Sequence, residues 1–184
     1  MRTFFAIELT DEVRKELSSI QERLIEANAD IKWVKPENIH LTLKFLGDIN
    51  ESQVEKIKSI LDETAKNHKA FKSSLFKIGA FPKLEYPRVI WVGIDENCSI
   101  IEEIAIKIDD ACEKLGFQKE ERQFSAHLTV GRVRSSKNKA VLREKILSTE
   151  IRPISFPVTK LTLFQSTLTP QGPVYTSLHE SQLI

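Results

Sequence analysis

Cysteine, methionine and an excess of either charge are what this sequence has least of, and each shortage removes a class of function. Two cysteines in 184 residues, Cys98 and Cys112, are too few and too far apart for a disulfide framework or a zinc cluster. Both are expected to be reduced and packed on a helix. No apolar run approaches the ~20 residues that cross a bilayer, and the opening Met1–Glu8 meets acidic residues too soon to be a signal-peptide core. A cytoplasmic protein without a membrane partner is expected. The 27 basic and 26 acidic residues leave a net charge of only +1. A wholly basic surface is therefore excluded, and any grip on nucleic acid has to come from a local patch, which favours an RNA end over a long duplex.

What is present is enough for a folded protein: 41% of the residues are hydrophobic, sufficient for a core at this length. A charged fraction of 29%, with one Met and seven Pro, leans toward heat stability. Alternating aromatic and branched residues mark a strand over Thr3 to Leu9, after which Thr10 can cap a helix from Asp11 to about Ala27 with Val13, Leu17, Ile20 and Leu24 on one face. Ile31 to Val34 reads as a short strand. A second helix is expected from Asn50 to about His68. A third follows Ile100, Ile101, Ile104, Ile108, Ala111 and Leu115 and stops at Gly116. A fourth should occupy Lys139 to Leu147. Phe71 to Ile78 and Val89 to Ile94 read as strands joined by a long Pro- and Gly-rich loop, Gly79 to Arg88. Two last strands, Val158 to Ser166 and Val174 to Ser177, flank the turn residues Thr169 to Pro173. The order of strands and helices suggests an approximate internal duplication within a single domain spanning residues 1–184.

One tetrapeptide occurs twice. His40-Leu41-Thr42-Leu43 returns 87 positions later as His127-Leu128-Thr129-Val130. In an extended strand, side chains alternate between faces, so each copy puts an imidazole and a hydroxyl on one side and apolar residues on the other. A single copy is most simply a half-buried strand; two, each in its own half of the chain, point to a site. Paired imidazoles suit general acid–base chemistry, because a pKa near 6.5 lets one ring be neutral and the other charged around neutral pH. Thr42 and Thr129 carry hydroxyls, held by β-branching, that could hydrogen-bond developing negative charge. Four histidines with no His-x-x-x-His pair and no carboxylate at ligand spacing make a metal unexpected, and no cofactor is called for. His68 and His179, on a helix end and a late strand, are given no catalytic role.

Around the motifs the parity rule makes further assignments. Lys44 has the parity of the histidine face, with a solvated lysine as the equal alternative. Phe45 and Arg132 each lie five residues after a histidine, an odd offset that in a regular strand sends a side chain to the back. Phe45 is therefore read first as core and second as a base-stacking ring. Gly131 could permit a bulge that returns Arg132 to the front, where a guanidinium can clamp phosphate. Trp33 could stack on a base but is more simply core.

Taken together, the two His-x-Thr motifs with Lys44-Phe45-Leu46-Gly47 after the first and Gly131-Arg132 after the second, the opening Arg2-Thr3-Phe4-Phe5-Ala6-Ile7 and the closing Leu161-Thr162-Leu163-Phe164-Gln165-Ser166 resemble the 2H phosphoesterase superfamily. Within it they are most similar to the RNA 2′,3′-cyclic phosphodiesterases, also called 2′-5′ RNA ligases. The resemblance implies an α+β fold of two pseudo-symmetric lobes, each an antiparallel sheet backed by helices, with His40 and His127 facing across a cleft. It implies hydrolysis of a terminal 2′,3′-cyclic phosphate on RNA to a 2′-phosphate, with reverse 2′-5′ ligation as a second activity. By family analogy His40 is the proton donor, His127 the acceptor and Arg132 a phosphate ligand. The implied partners are RNA ends, tRNA fragments among them, and a monomer is expected. Two rivals stay open: a phosphodiesterase for small cyclic nucleotides or ADP-ribose cyclic phosphate using the same residues, and a non-catalytic module that binds RNA ends.

Overall fold

The alternating opening residues become strand β1 (Arg2–Ile7), which runs through the middle of an antiparallel sheet and is buried from Thr3 to Ile7. The computed structural model describes residues 1–184. Beside β1 lie β3 (Leu41–Asp48) on one side and β8 (Lys160–Thr169) on the other, with β9 (Gly172–Gln182) outermost, so the first sheet has the order β3-β1-β8-β9. The second sheet has the order β2-β6-β5-β4-β7, from β2 (Ile31–Trp33), β6 (His127–Val133), β5 (Tyr86–Ile94), β4 (Phe71–Lys83) and β7 (Ser155–Val158). The fold is α+β with two antiparallel sheets, as the resemblance implied. Each sheet takes strands from both halves of the chain.

The helices form where apolar periodicity and caps coincide. Helix α1 (Asp11–Ile25) starts where the Thr10 hydroxyl accepts from the Val13 amide, and it buries Val13, Leu17, Ile20 and Leu24. Helix α2 (Glu51–Ala65) opens on a reciprocal box: Asn50 accepts from the Gln53 amide at 3.1 Å and the Gln53 side chain accepts from the Asn50 amide at 3.0 Å. Helix α3 (Cys98–Lys114) buries Ile101, Ile104, Ile108 and Cys112, and Gly116 takes the positive φ that ends it. Helix α4 (Lys139–Ser148) seats Leu142 and Ile146. Helices α2 and α3 cover the first sheet, whereas α4 lies on α1 and on β4 of the second. A second link from α1 is polar: the nearly buried Gln21 amide donates to the carbonyls of Val34 (2.7 Å) and Val130 (2.9 Å).

The expected long loop over Gly79 to Arg88 is not there. Strands β4 and β5 continue through it to a two-residue turn, Leu84-Glu85. Pro82 stands opposite Pro87 in the ladder, so the two missing N–H groups fall on one rung and the pairing survives on either side. Gly79 faces Trp91, whose indole would lie only 2.2 Å from a Cβ at that position. His68 and His179 lie at the end of α2 and on β9. The first is buried, with Nδ1 2.7 Å from the Thr64 carbonyl, and the second is 2.8 Å from Asp62.

Candidate active site

Both motif strands carry a β-bulge, three residues after the histidine. Ala6 pairs with Thr42 and Phe5 with Lys44, which leaves Leu43 as the extra residue on β3. Trp91 pairs with Thr129 and Ile90 with Gly131, which leaves Val130 extra on β6. Each bulge reverses the face on which later side chains emerge, and this decides every assignment downstream of the histidines.

Lys44 is thereby turned into the protein, contrary to its assignment as a groove residue. Its side chain is 2% exposed and its ammonium lies 2.6 Å from Asp109 and 2.9 Å from the Gln118 carbonyl, with Glu120 at 3.6 Å. Phe45 emerges on the histidine side, so the core reading of it is overturned. It is 59% exposed and its ring lies 5.7 Å from that of Phe4. Arg132, exposed and opposite Val89, is returned to the side of Thr129 by the bulge at Val130, one residue before the glycine at which it was expected. Trp33 is not in the groove. It pairs with Gly131 on the core side of the second sheet, and a Cβ on that glycine would lie 3.0 Å from the indole.

The two histidines sit in aromatic surroundings. His40, immediately before β3, stacks on Phe4 at 4.7 Å and 17°, lies 5.7 Å from Phe164 and meets Tyr175 edge-on at 5.0 Å. Burial among these rings lowers its pKa to about 4, and the Arg14 guanidinium adds to the shift. His127 meets Phe81 edge-on at 5.0 Å, and its Nδ1 lies 2.6 Å from the Ser125 carbonyl. Burial lowers its pKa as well; the Ser125 bond opposes this and Arg132 reinforces it. A carbonyl can only accept, so Nδ1 carries the proton and Nε2 is left with its lone pair free.

Tyr175 and Arg132 influence each other electrostatically. Burial raises the Tyr175 pKa, and the positive charges of Arg132 and Arg2 pull it back. Tyr175 touches His40 and feels the charge of Arg132, the same guanidinium that acts on His127. Strands β3 and β6 also approach each other across the sheets. Thr42, opposite Ala6, and Thr129, opposite Trp91, lie on the faces of their histidines and are half-buried. His40, Thr42 and Phe45 thus share one face of the first sheet, and His127, Thr129 and Arg132 one face of the second. Sequence reasoning missed Tyr175, Phe81, Phe164 and Arg14. Phe164 and Phe4 lay within the quoted segments, but nothing in the local pattern of the other three distinguishes them from ordinary surface or hairpin residues.

These two faces, each with an imidazole and a hydroxyl, are the candidate active site, and sequence comparison gives the class of protein as a phosphoesterase. The LigT like Phosphoesterase family matches residues 7–91 and again 92–175, and the chain belongs to that family. A relative from Methanothermobacter thermautotrophicus named RNA 2′,3′-cyclic phosphodiesterase is 36% identical over 184 residues, covering 100% of this chain and 99% of its own length. Among solved structures, TT0787 of Thermus thermophilus superposes with a TM-score of 0.81 at 26% identity, covering 100% of this chain and 98% of that one. E. coli LigT complexed with 3′-AMP superposes at 0.79 and 25% identity, covering 99% and 97%.

Proposed function

We propose that this protein opens terminal 2′,3′-cyclic phosphates on RNA, leaving a 2′-phosphate and a 3′-hydroxyl. The observation that carries the reading is the fixed tautomer of His127, with Nε2 free to accept a proton, in a groove shared with a second imidazole. His127 Nε2 takes a proton from water as the water oxygen bonds to phosphorus. The bond from phosphorus to the 3′ oxygen breaks, and His40 delivers a proton to that oxygen. Thr42 and Thr129 hydrogen-bond the non-bridging oxygens, each contributing roughly 2–4 kcal/mol in the transition state, and Arg132 clamps the phosphate.

A donor has to be protonated, and His40 in the free protein is neutral above about pH 4. An anionic phosphate about 4.5 Å away, at an effective dielectric constant of about 20, stabilises the imidazolium by about 3–4 kcal/mol, or roughly 2–3 pKa units. Substrate binding thus brings the ring back to the working range. The donor set favours a route without a metal, since hard divalent cations prefer carboxylate oxygens and none belongs to the gathered groups. Microscopic reversibility extends the proposal to 2′-5′ joining when a 5′-hydroxyl replaces water. The relative's name and the 3′-AMP complex of a neighbour support RNA ends as the substrate class. No helix is long and apolar enough to cross a membrane.

The test is to incubate the protein with an oligonucleotide ending in a cyclic phosphate, in excess chelator, and locate the product phosphate. A 2′-phosphate is expected, with turnover reduced at least about a hundredfold in His40→Ala and in His127→Ala. A 3′-phosphate, near-normal turnover in either variant, or loss of activity rescued by a divalent ion would each contradict the scheme.

A further inference from the structure

We propose that the tip of the β4–β5 hairpin is a second RNA subsite, holding the nucleotide 5′ of the reacting end; this rests on the reading above. The face of the second sheet that carries His127 continues to that tip. Phe81 lies against His127, and two residues further on Lys83 pairs with Tyr86 on the same side. At about 3.3 Å per residue the step along the strand is roughly 7 Å, on the order of one nucleotide.

Tyr86 is 60% exposed, and the groups around its open ring decide what it can do. The Lys83 ammonium lies 5.2 Å and the Lys139 ammonium 4.9 Å from its ring centroid, and neither lysine takes part in an ion pair. An open aromatic face with two uncommitted cations is the combination that binds single-stranded RNA, by stacking on a base and neutralising its phosphate. Lys32, next to Arg132 across β2 and β6, adds a cation on the same face.

The other end of the groove is balanced in charge. Beside Phe45 lies an open pocket of about 420 Å³ lined by Phe117, Glu120, Glu121 and Arg122. Lys119 on its rim is engaged by Asp110 at 2.8 Å and Glu113 at 3.1 Å. Glu120 there is paired with Lys44 and the uncommitted Arg122 is offset by the uncommitted Glu121, whereas the hairpin tip offers two uncommitted lysines, so the RNA leaves the groove over Phe81 toward Tyr86. A protein of net charge +1 can still grip RNA through a local group of cations such as Lys83 and Lys139 around one exposed ring.

The test compares a 2′,3′-cyclic mononucleotide with a short oligonucleotide bearing the same end. Tyr86→Ala should lower kcat/KM for the oligonucleotide about tenfold, within the ~1–3 kcal/mol of one base stack, and leave the mononucleotide within about twofold. Lys83→Ala with Lys139→Ala should flatten the salt dependence of the oligonucleotide KM by about one slope unit. An unchanged oligonucleotide value, or equal losses on both substrates, overturns the subsite. Absence of turnover on either substrate would sink the phosphodiesterase reading alone. Fluorescence anisotropy of a labelled oligonucleotide ending in 3′-phosphate would still decide the subsite: Tyr86→Ala weakens binding if it exists and leaves it unchanged if it does not.

Discussion

Acid should destabilise the protein partly through one ring. His40 is held neutral down to about pH 4 by burial, with Arg14 adding to the effect, whereas in the unfolded chain its pKa is about 6.5. As pH falls the unfolded chain therefore binds this proton first. The stabilisation is complete above about pH 6.5 and is lost progressively as pH drops toward 4. At about pH 4.5 the unfolded chain is favoured by RT ln[(1 + 10^2.0)/(1 + 10^−0.5)], or about 2.5 kcal/mol. The assay is urea unfolding of the parent and of His40→Gln at about pH 7.5 and about pH 4.5. Carboxylate titrations are shared by both proteins and cancel in the difference, as does any cost of the buried amide. The parent should lose about 2.5 kcal/mol more than the variant between the two pH values. Equal losses would refute the claim that His40 is buried in its neutral form.

Because both imidazoles have depressed pKa values in the free protein, kcat/KM should be highest on the acid side and fall about tenfold per unit above about pH 6.5. A flat profile from about pH 5 to about pH 9 in steady-state kinetics would contradict proton transfer by this pair. Lys44→Met should cost about 3 kcal/mol by stranding Asp109, and adding Asp109→Leu should recover most of it; chemical denaturation reads this, and KM should not move in either protein. Gly79→Ala would force a Cβ to 2.2 Å from the Trp91 ring and should destabilise by about 2 kcal/mol or more, visible as a lower Tm.

The helices and motif strands were legible because periodicity and capping are local properties: Thr10, Asn50 and Gly116 mark their helix ends in the sequence as they do in the structure. The faces beyond the motifs were not. A bulge is one unpaired residue, decided by what the neighbouring strand can match, and it exchanged the fates of Lys44 and Phe45. Arg132 was reachable only because Gly131 hinted at the irregularity. The β4–β5 hairpin was hidden for a related reason. Proline counts against a strand when read alone, and only the pairing of Pro82 with Pro87 removes the objection. Tyr175 and Arg14 come from distant parts of the chain, and no nearby pattern connects either to His40.

The first sheet is completed by the last long strand, since β9 lies beside β8 and brings Tyr175 to His40. A chain made only as far as residue 170 already contains both histidines, both threonines and the rings of Phe4 and Phe164, but Tyr175, which closes the edge of the His40 pocket, has yet to be added. Competence for chemistry should therefore arrive late and all at once during translation, and a truncated product carrying both signatures should be inert.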